Sequence, residues 1–139
     1  MAEPFTKVRN ARTIHFSVGA LIEEGGKLLL IDRAQKPFGW ASPAGHIDKS
    51  ETPLKAIKRE VMEETGLEVT KASLVIEEFV AWNECSRGIK GHYWYVFRCQ
   101  VKGQLKSSSE AKSIGWHKAK DAQPLEPVWE YWFKKLELL

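Results

Sequence analysis

Residues 45–67 read Gly45-His46-Ile47-Asp48-Lys49-Ser50-Glu51-Thr52-Pro53-Leu54-Lys55-Ala56-Ile57-Lys58-Arg59-Glu60-Val61-Met62-Glu63-Glu64-Thr65-Gly66-Leu67, and the chain changes period inside them. Thr52 offers a hydroxyl that can cap a helix, Pro53 fits the first helical position, and Gly66 can take the left-handed conformation that ends one. Leu54, Ile57 and Val61 recur at helical spacing. With Leu54 at zero and roughly 100° per residue, Ile57, Val61 and Met62 share one sector, while Arg59, Glu63, Glu60 and Glu64 lie between about 140° and 280°. The pattern predicts a helix from Pro53 that buries one side and carries acid on the other.

Glu60, Glu63 and Glu64 are spaced i, i+3, i+4. Their carboxylates crowd one patch near the negative end of the helix dipole, and each like-charge pair costs a few tenths of a kcal/mol. Arg59 alone does not neutralise three carboxylates. A hard divalent cation does, and magnesium favours carboxylate and carbonyl oxygens shared with substrate phosphates. The glutamates alone are more commonly just a solvated helix face.

Outward from this helix, Ile14 to Ile22, the Glu23-Glu24-Gly25-Gly26 turn and Lys27 to Asp32 read as a β-hairpin. Lys36 to Gly45, dense in Pro and Gly, reads as loop with at most a short extended piece. Leu74 to Trp82 and His92 to Val101 read as strands. The second places Tyr93, Tyr95, Phe97 and Cys99 on one face and His92, Trp94, Val96 and Arg98 on the other, as expected of a strand buried on both sides or lining a cleft on one. Ser113 to His117 suggests a short strand, and Val128, Trp129, Trp132, Phe133 and Leu136 mark an amphipathic helix behind Pro127. Two helices with five or more strands in mixed order point to an α/β sandwich.

The chain has 139 residues, 43% of them hydrophobic and 28% charged, with a formal net charge of +3. That length and balance fit one globular domain spanning 1–139, and no repeat or low-complexity tract divides it. Cys85 and Cys99 match neither a disulfide framework nor a CxxC pair, so two free thiols in a reducing, cytoplasmic compartment are expected. The first ten residues contain no apolar signal core, and the longest apolar run, Leu28 to Ile31, is far short of the ~20 residues of a membrane span. Scattered basic residues announce no nucleic-acid groove. The expected partner is a small anionic molecule, with neither nucleic acid nor membrane involved, and the chain a monomer or homodimer.

The spacing Gly45, five residues, Glu51, seven residues, Arg59-Glu60, apolar Val61, one residue, Glu63-Glu64, one residue, Gly66, apolar Leu67 meets every fixed position of the Nudix box, Gx5Ex7REUxEExGU. The sequence resembles the Nudix hydrolase family. The resemblance implies an α/β/α sandwich around a mixed β-sheet. It also implies a Mg2+-dependent pyrophosphohydrolase, with Mn2+ as a possible substitute, that cleaves a nucleoside diphosphate linked to another group by attack of water on phosphorus. It implies Glu60 and Glu64 as metal ligands, Glu63 as ligand or supporting partner, the Gly45 carbonyl completing the set, and Arg59 orienting Glu60. Glu51 is expected to fix the loop or helix start.

Ser109 to Trp116 resembles the family's E-x-x-x-(apolar)-x-W stretch, which makes Glu110 a further metal ligand or general base, second to Glu60. The "PAGH" entrance at Pro43 to His46 resembles that of enzymes acting on nucleoside tri- and diphosphates. Trp94, Trp40, Trp82 and Tyr95 are candidates to stack on a base, though core positions are the commoner place for such residues. His46, Arg12, Lys27 and Arg33 are candidates to meet phosphate. An inactive nucleotide- or partner-binding module of the same fold is the alternative function. An isomerase of this fold is a more remote one, because neither cysteine lies in a matching motif.

Overall fold

The computed structural model describes residues 6–9, 12–85, 88–106 and 111–139. In chain order these give β1 (Thr6–Arg9), β2 (Arg12–Leu21), β3 (Glu23–Glu24), β4 (Lys27–Arg33), β5 (Gly39–Ala41), β6 (Ala44–His46), α1 (Pro53–Thr65), β7 (Glu68–Glu84), β8 (Lys90–Lys102), β9 (Ala111–His117) and α2 (Pro127–Lys135), with a short 3-10 turn at Ala119–Asp121. One sheet runs β1-β2-β8-β7, with β6 also on β2; the other runs β3-β4-β5, with β9 also on β4. The first sheet is mixed. β2 and β8 run parallel, His15 opposite His92, whereas β7 and β8, and β2 and β6, pair antiparallel.

The long strands are buried on both faces because each face meets a different helix. Trp94 and Val96 of β8 join a cluster with Val128, Trp129, Trp132 and Phe133 of α2. Phe97 and Cys99 of the same strand join a cluster with Ala56, Ile57 and Val61 of α1. β4 divides in the same way, Leu28 and Leu30 to the first cluster and Leu29 to the second. The result is an α/β/α sandwich. Each large apolar side chain removed from water contributes about 1.5–3 kcal/mol, so the fully buried Trp129, Trp132 and Phe133 make α2 a principal anchor.

Three sequence expectations are corrected. The hairpin is confined to its tip: Glu23 and Glu24 pair with Leu28 and Lys27, and beyond them β2 and β4 diverge into separate sheets. Turn residues dictate the tip, but they do not keep two long strands together once each has a better partner. The loop before α1 contains two three-residue strands, β5 and β6. On α1, Leu54 and Met62 are exposed, 44% and 47%, and the buried residues are Ala56, Ile57, Val61 and Thr65. The buried face is therefore rotated away from Leu54 and toward the glutamates.

The ends of α1 form as its sequence dictates. Thr52 Oγ1 accepts the Lys55 N–H at 3.2 Å, Pro53 opens the helix, and Gly66 closes it in the left-handed region at φ 76°, its N–H bonded to the Met62 carbonyl. Cys85 and Cys99 are free thiols. Among the described residues, no helix is long and apolar enough to cross a membrane.

Candidate active site

The rotation of α1 turns Glu60 and Glu64 inward, beneath β6. The Glu60 side chain is only 13% exposed, whereas Glu63, one helical step outward, is 57% exposed. Glu64 Oε1 accepts the Ala44 N–H at 3.3 Å. The Glu60 carboxylate packs directly on Gly45, so a Cβ at residue 45 would run into it. The glycine that opens the motif is thus needed for close approach, not for a turn.

Arg59 ties the two ends of the motif together. Its Nε and Nη2 fork onto the two Glu51 oxygens at 2.7 and 2.9 Å, Nη1 reaches Glu60 Oε1 at 2.8 Å and Glu63 Oε2 at 3.3 Å, and Nη2 also donates to the His46 carbonyl at 2.9 Å. Asp48 stands 3.5 Å from Nη2. Glu51 Oε1 accepts the Asp48 N–H at 2.9 Å, so the same carboxylate pins the loop and holds the guanidinium. Its hydrogen bonds from Arg59 keep the Glu51 carboxyl below its ordinary pKa.

Glu60 and Glu64 titrate the other way. Burial pushes the Glu60 carboxyl up, and Arg59 only partly offsets it. Glu64 is raised much further, first by burial and then by the negative charge of Glu60 beside it. Two adjoining carboxylates, recessed so that burial opposes their ionisation, could hold a hard cation. The donors are all hard oxygens, and the residues present fit a magnesium-type ion.

These side chains line one cleft of about 740 Å3, together with Arg33, Glu126, His46, His92 and Trp94. Arg33 is held at its rim by Nε donating to the Pro37 carbonyl at 2.7 Å. Lys27 is exposed beside the Gly25-Gly26 turn, and Arg12's side chain lies outside the described residues, as does Glu110. Trp94 is 6% exposed, packs edge-on to Trp129 and Trp132, and donates Nε1–H to Asn83 Oδ1 at 2.9 Å, which is the arrangement of a core tryptophan. Trp40 stands edge-on to His117, while Trp82 is exposed and edge-on to Tyr131. His46 lies beside His15, its Nε2 3.1 Å from His15 Nδ1.

Sequence reasoning missed Glu126. It is 3% exposed at the start of α2, and burial raises its carboxyl to about 7 despite the charge of Arg33 and the facing N–H groups of Val128 and Trp129. Its one local signal was a charged residue set between Leu125 and Pro127, in an otherwise apolar approach to a helix.

A model of the NUDIX domain matches residues 13–136, and the chain belongs to that family. It is 36% identical over 99 residues to a MutT-like protein of Streptomyces ambofaciens, covering 70% of this chain and 59% of that one. It is also 36% identical over 100 residues to an ADP-ribose pyrophosphatase of Methanocaldococcus jannaschii, covering 69% and 57% respectively. The chain thus spans little more than half the length of these relatives. Among solved structures, a MutT NUDIX hydrolase from Burkholderia pseudomallei superposes with a TM-score of 0.75 at 25% identity, covering 87% of this chain and 96% of that one.

Proposed function

We propose that the chain is a divalent-metal-dependent pyrophosphohydrolase, with Mg2+ the working ion and Mn2+ a substitute, acting on a nucleoside diphosphate linked to another group. The observation that carries this reading is the pair Glu60 and Glu64, recessed against Gly45 and Ala44, where burial opposes the ionisation of both. Glu60, Glu64 and the Gly45 carbonyl would hold the ion, with Glu63 at its outer side. When bound, the ion neutralises phosphate charge and acidifies water.

The chain's own residues supply the rest. Arg59 fixes Glu60 by a charge-assisted bond to one oxygen, and the remaining oxygen is the first choice to accept the proton from the attacking water. Glu110 is the second choice for that step. Arg33, anchored at the rim, meets a phosphate oxygen. The cleft provides the wall against which a nucleoside settles, and the ADP-ribose pyrophosphatase among the relatives supports the nucleotide class. Trp40 is the side chain proposed to meet substrate, since His46 is turned toward His15; Trp94 supports the cleft from the core.

Phosphate or pyrophosphate release from a panel of nucleoside triphosphates, diphosphates and diphosphate-linked sugars, with and without Mg2+, tests the reading. Metal-dependent turnover of at least one member is expected. Saturable binding without turnover across the panel would instead indicate an inactive module.

A further inference from the structure

A second cluster of ligand atoms stands beside the carboxylate site and has a different chemistry. His15 of β2 lies opposite His92 of β8 in the parallel register. His46 of β6 lies opposite Ser17, two residues along β2 and therefore on the same face as His15. Cys85 follows the end of β7 and brings its Sγ to 3.7 Å from His15 Nδ1. One ligand atom from each of His15, His46, Cys85 and His92 falls within 4.8 Å of all the others.

His92 shows which way the cluster is aimed. It is 1% exposed, and its Nδ1 donates to the Asn83 carbonyl at 2.9 Å, which fixes the ring and leaves Nε2 as the free lone pair. That Nε2 is buried and has no hydrogen-bond partner among the described residues. A backbone carbonyl on one ring nitrogen with the other nitrogen bare is how a metal-ligating histidine is held.

We infer that His15, His46, His92 and Cys85 form a binding site for one transition-metal ion of the zinc class, separate from the Glu60–Glu64 site. With metal bonds of about 2.05 Å to nitrogen and 2.3 Å to sulfur, the 3.1 Å between His15 Nδ1 and His46 Nε2 subtends about 100°, and the 3.7 Å to Cys85 Sγ about 115°. Both are near tetrahedral; the wider pairs, up to 4.8 Å apart, must draw together on binding, because two bonds to one ion span at most about 4.35 Å. Three imidazoles and a thiolate select a borderline-soft ion, whereas the glutamates select a hard one, so the two sites do not compete. Four protein ligands make the site closed, hence structural. Binding releases the Cys85 thiol proton to solvent and ties β2, β6, β8 and the end of β7 together. His46 follows Gly45 and gives its carbonyl to Arg59, so the ion would steady the wall on which Glu60 packs.

Cobalt(II) titration of the chelator-stripped, reduced full-length chain tests this. The wild type should develop visible ligand-field bands and a near-ultraviolet thiolate-to-cobalt band, both saturating at one ion per chain and both erased by Zn2+ but not by millimolar Mg2+. Glu60→Gln/Glu64→Gln should keep both bands. Cys85→Ser should lose the thiolate band, and His92→Ala should bind Zn2+ at least roughly tenfold more weakly in competition with a chelating dye, circular dichroism reporting that each variant is folded. Absence of the thiolate band in the wild type, its persistence in Cys85→Ser, or its loss in the glutamate variant would overturn the inference.

Discussion

The Glu60 carboxylate occupies the space that a side chain at Gly45 would need. β6 and the middle of α1 are therefore fitted to one another at a single point, and that point is the carboxylate proposed to hold the ion. Gly45→Ala tests this directly. The added methyl meets the far end of a flexible side chain rather than backbone, so Glu60 swings aside and the fold persists. The expected result is a melting temperature close to that of the wild type, with a fall in kcat of at least tenfold and a raised Mg2+ requirement. A Mg2+ titration of turnover, read beside a thermal melt, separates those outcomes.

Arg59 makes five side-chain or backbone contacts within 3.3 Å, and a lysine reproduces neither the fork onto Glu51 nor the simultaneous reach to Glu60. Arg59→Lys should cost about 1–3 kcal/mol of stability, as expected for lost hydrogen bonds to charged groups. Activity should fall as Glu60 loses its orientation. Denaturant melts and kcat measured on the same preparation check both effects.

Glu126 gives a pH signature of stability. Its carboxyl stands at about 7 in the folded chain, above the ordinary unfolded value near 4.5. The folded state thus holds the proton more tightly, and the contribution is fully present below about 4.5 and lost as pH rises through 7. Ionising the buried group costs up to about 3 kcal/mol by pH 8. Glu126→Gln should match the wild type at pH 4.5 and exceed it progressively toward pH 8. The difference between the two melting temperatures across that range is the measurement.

Trp94 lies among Trp129 and Trp132 with its N–H satisfied by Asn83. Trp94→Ala should destabilise by about 3–5 kcal/mol. A melting temperature near that of the wild type combined with a raised KM would restore Trp94 to the base-binding surface.

The ends of α1 were readable because Thr52, Pro53 and Gly66 act within one turn of their own positions. The box itself was readable for the same reason, being one continuous stretch. The direction of Glu60 and Glu64 was not. A helical wheel centred on Leu54 misplaces them, because nothing local shows that Leu54 and Met62 stay in water while a glycine on another strand makes room for a carboxylate. His15, His46 and His92 are brought together only by the register of three strands, one pair parallel and one antiparallel, which periodicity does not encode. Glu126 was hidden by its short reach: a charge beside Pro127 looks like an ordinary helix start until α2 is seen to bury it.

In the proposed function, Glu60 and Glu64 hold a divalent ion on which phosphoanhydride hydrolysis depends. Glu64→Gln tests it most sharply, because the amide keeps the shape while removing the charge that burial and Glu60 oppose. The metal-free variant should melt at or above the wild-type temperature. Its kcat for the preferred nucleotide in saturating Mg2+, followed by phosphate release, should fall by orders of magnitude. Undiminished turnover in Glu64→Gln, or full wild-type activity in excess chelator, would contradict the account.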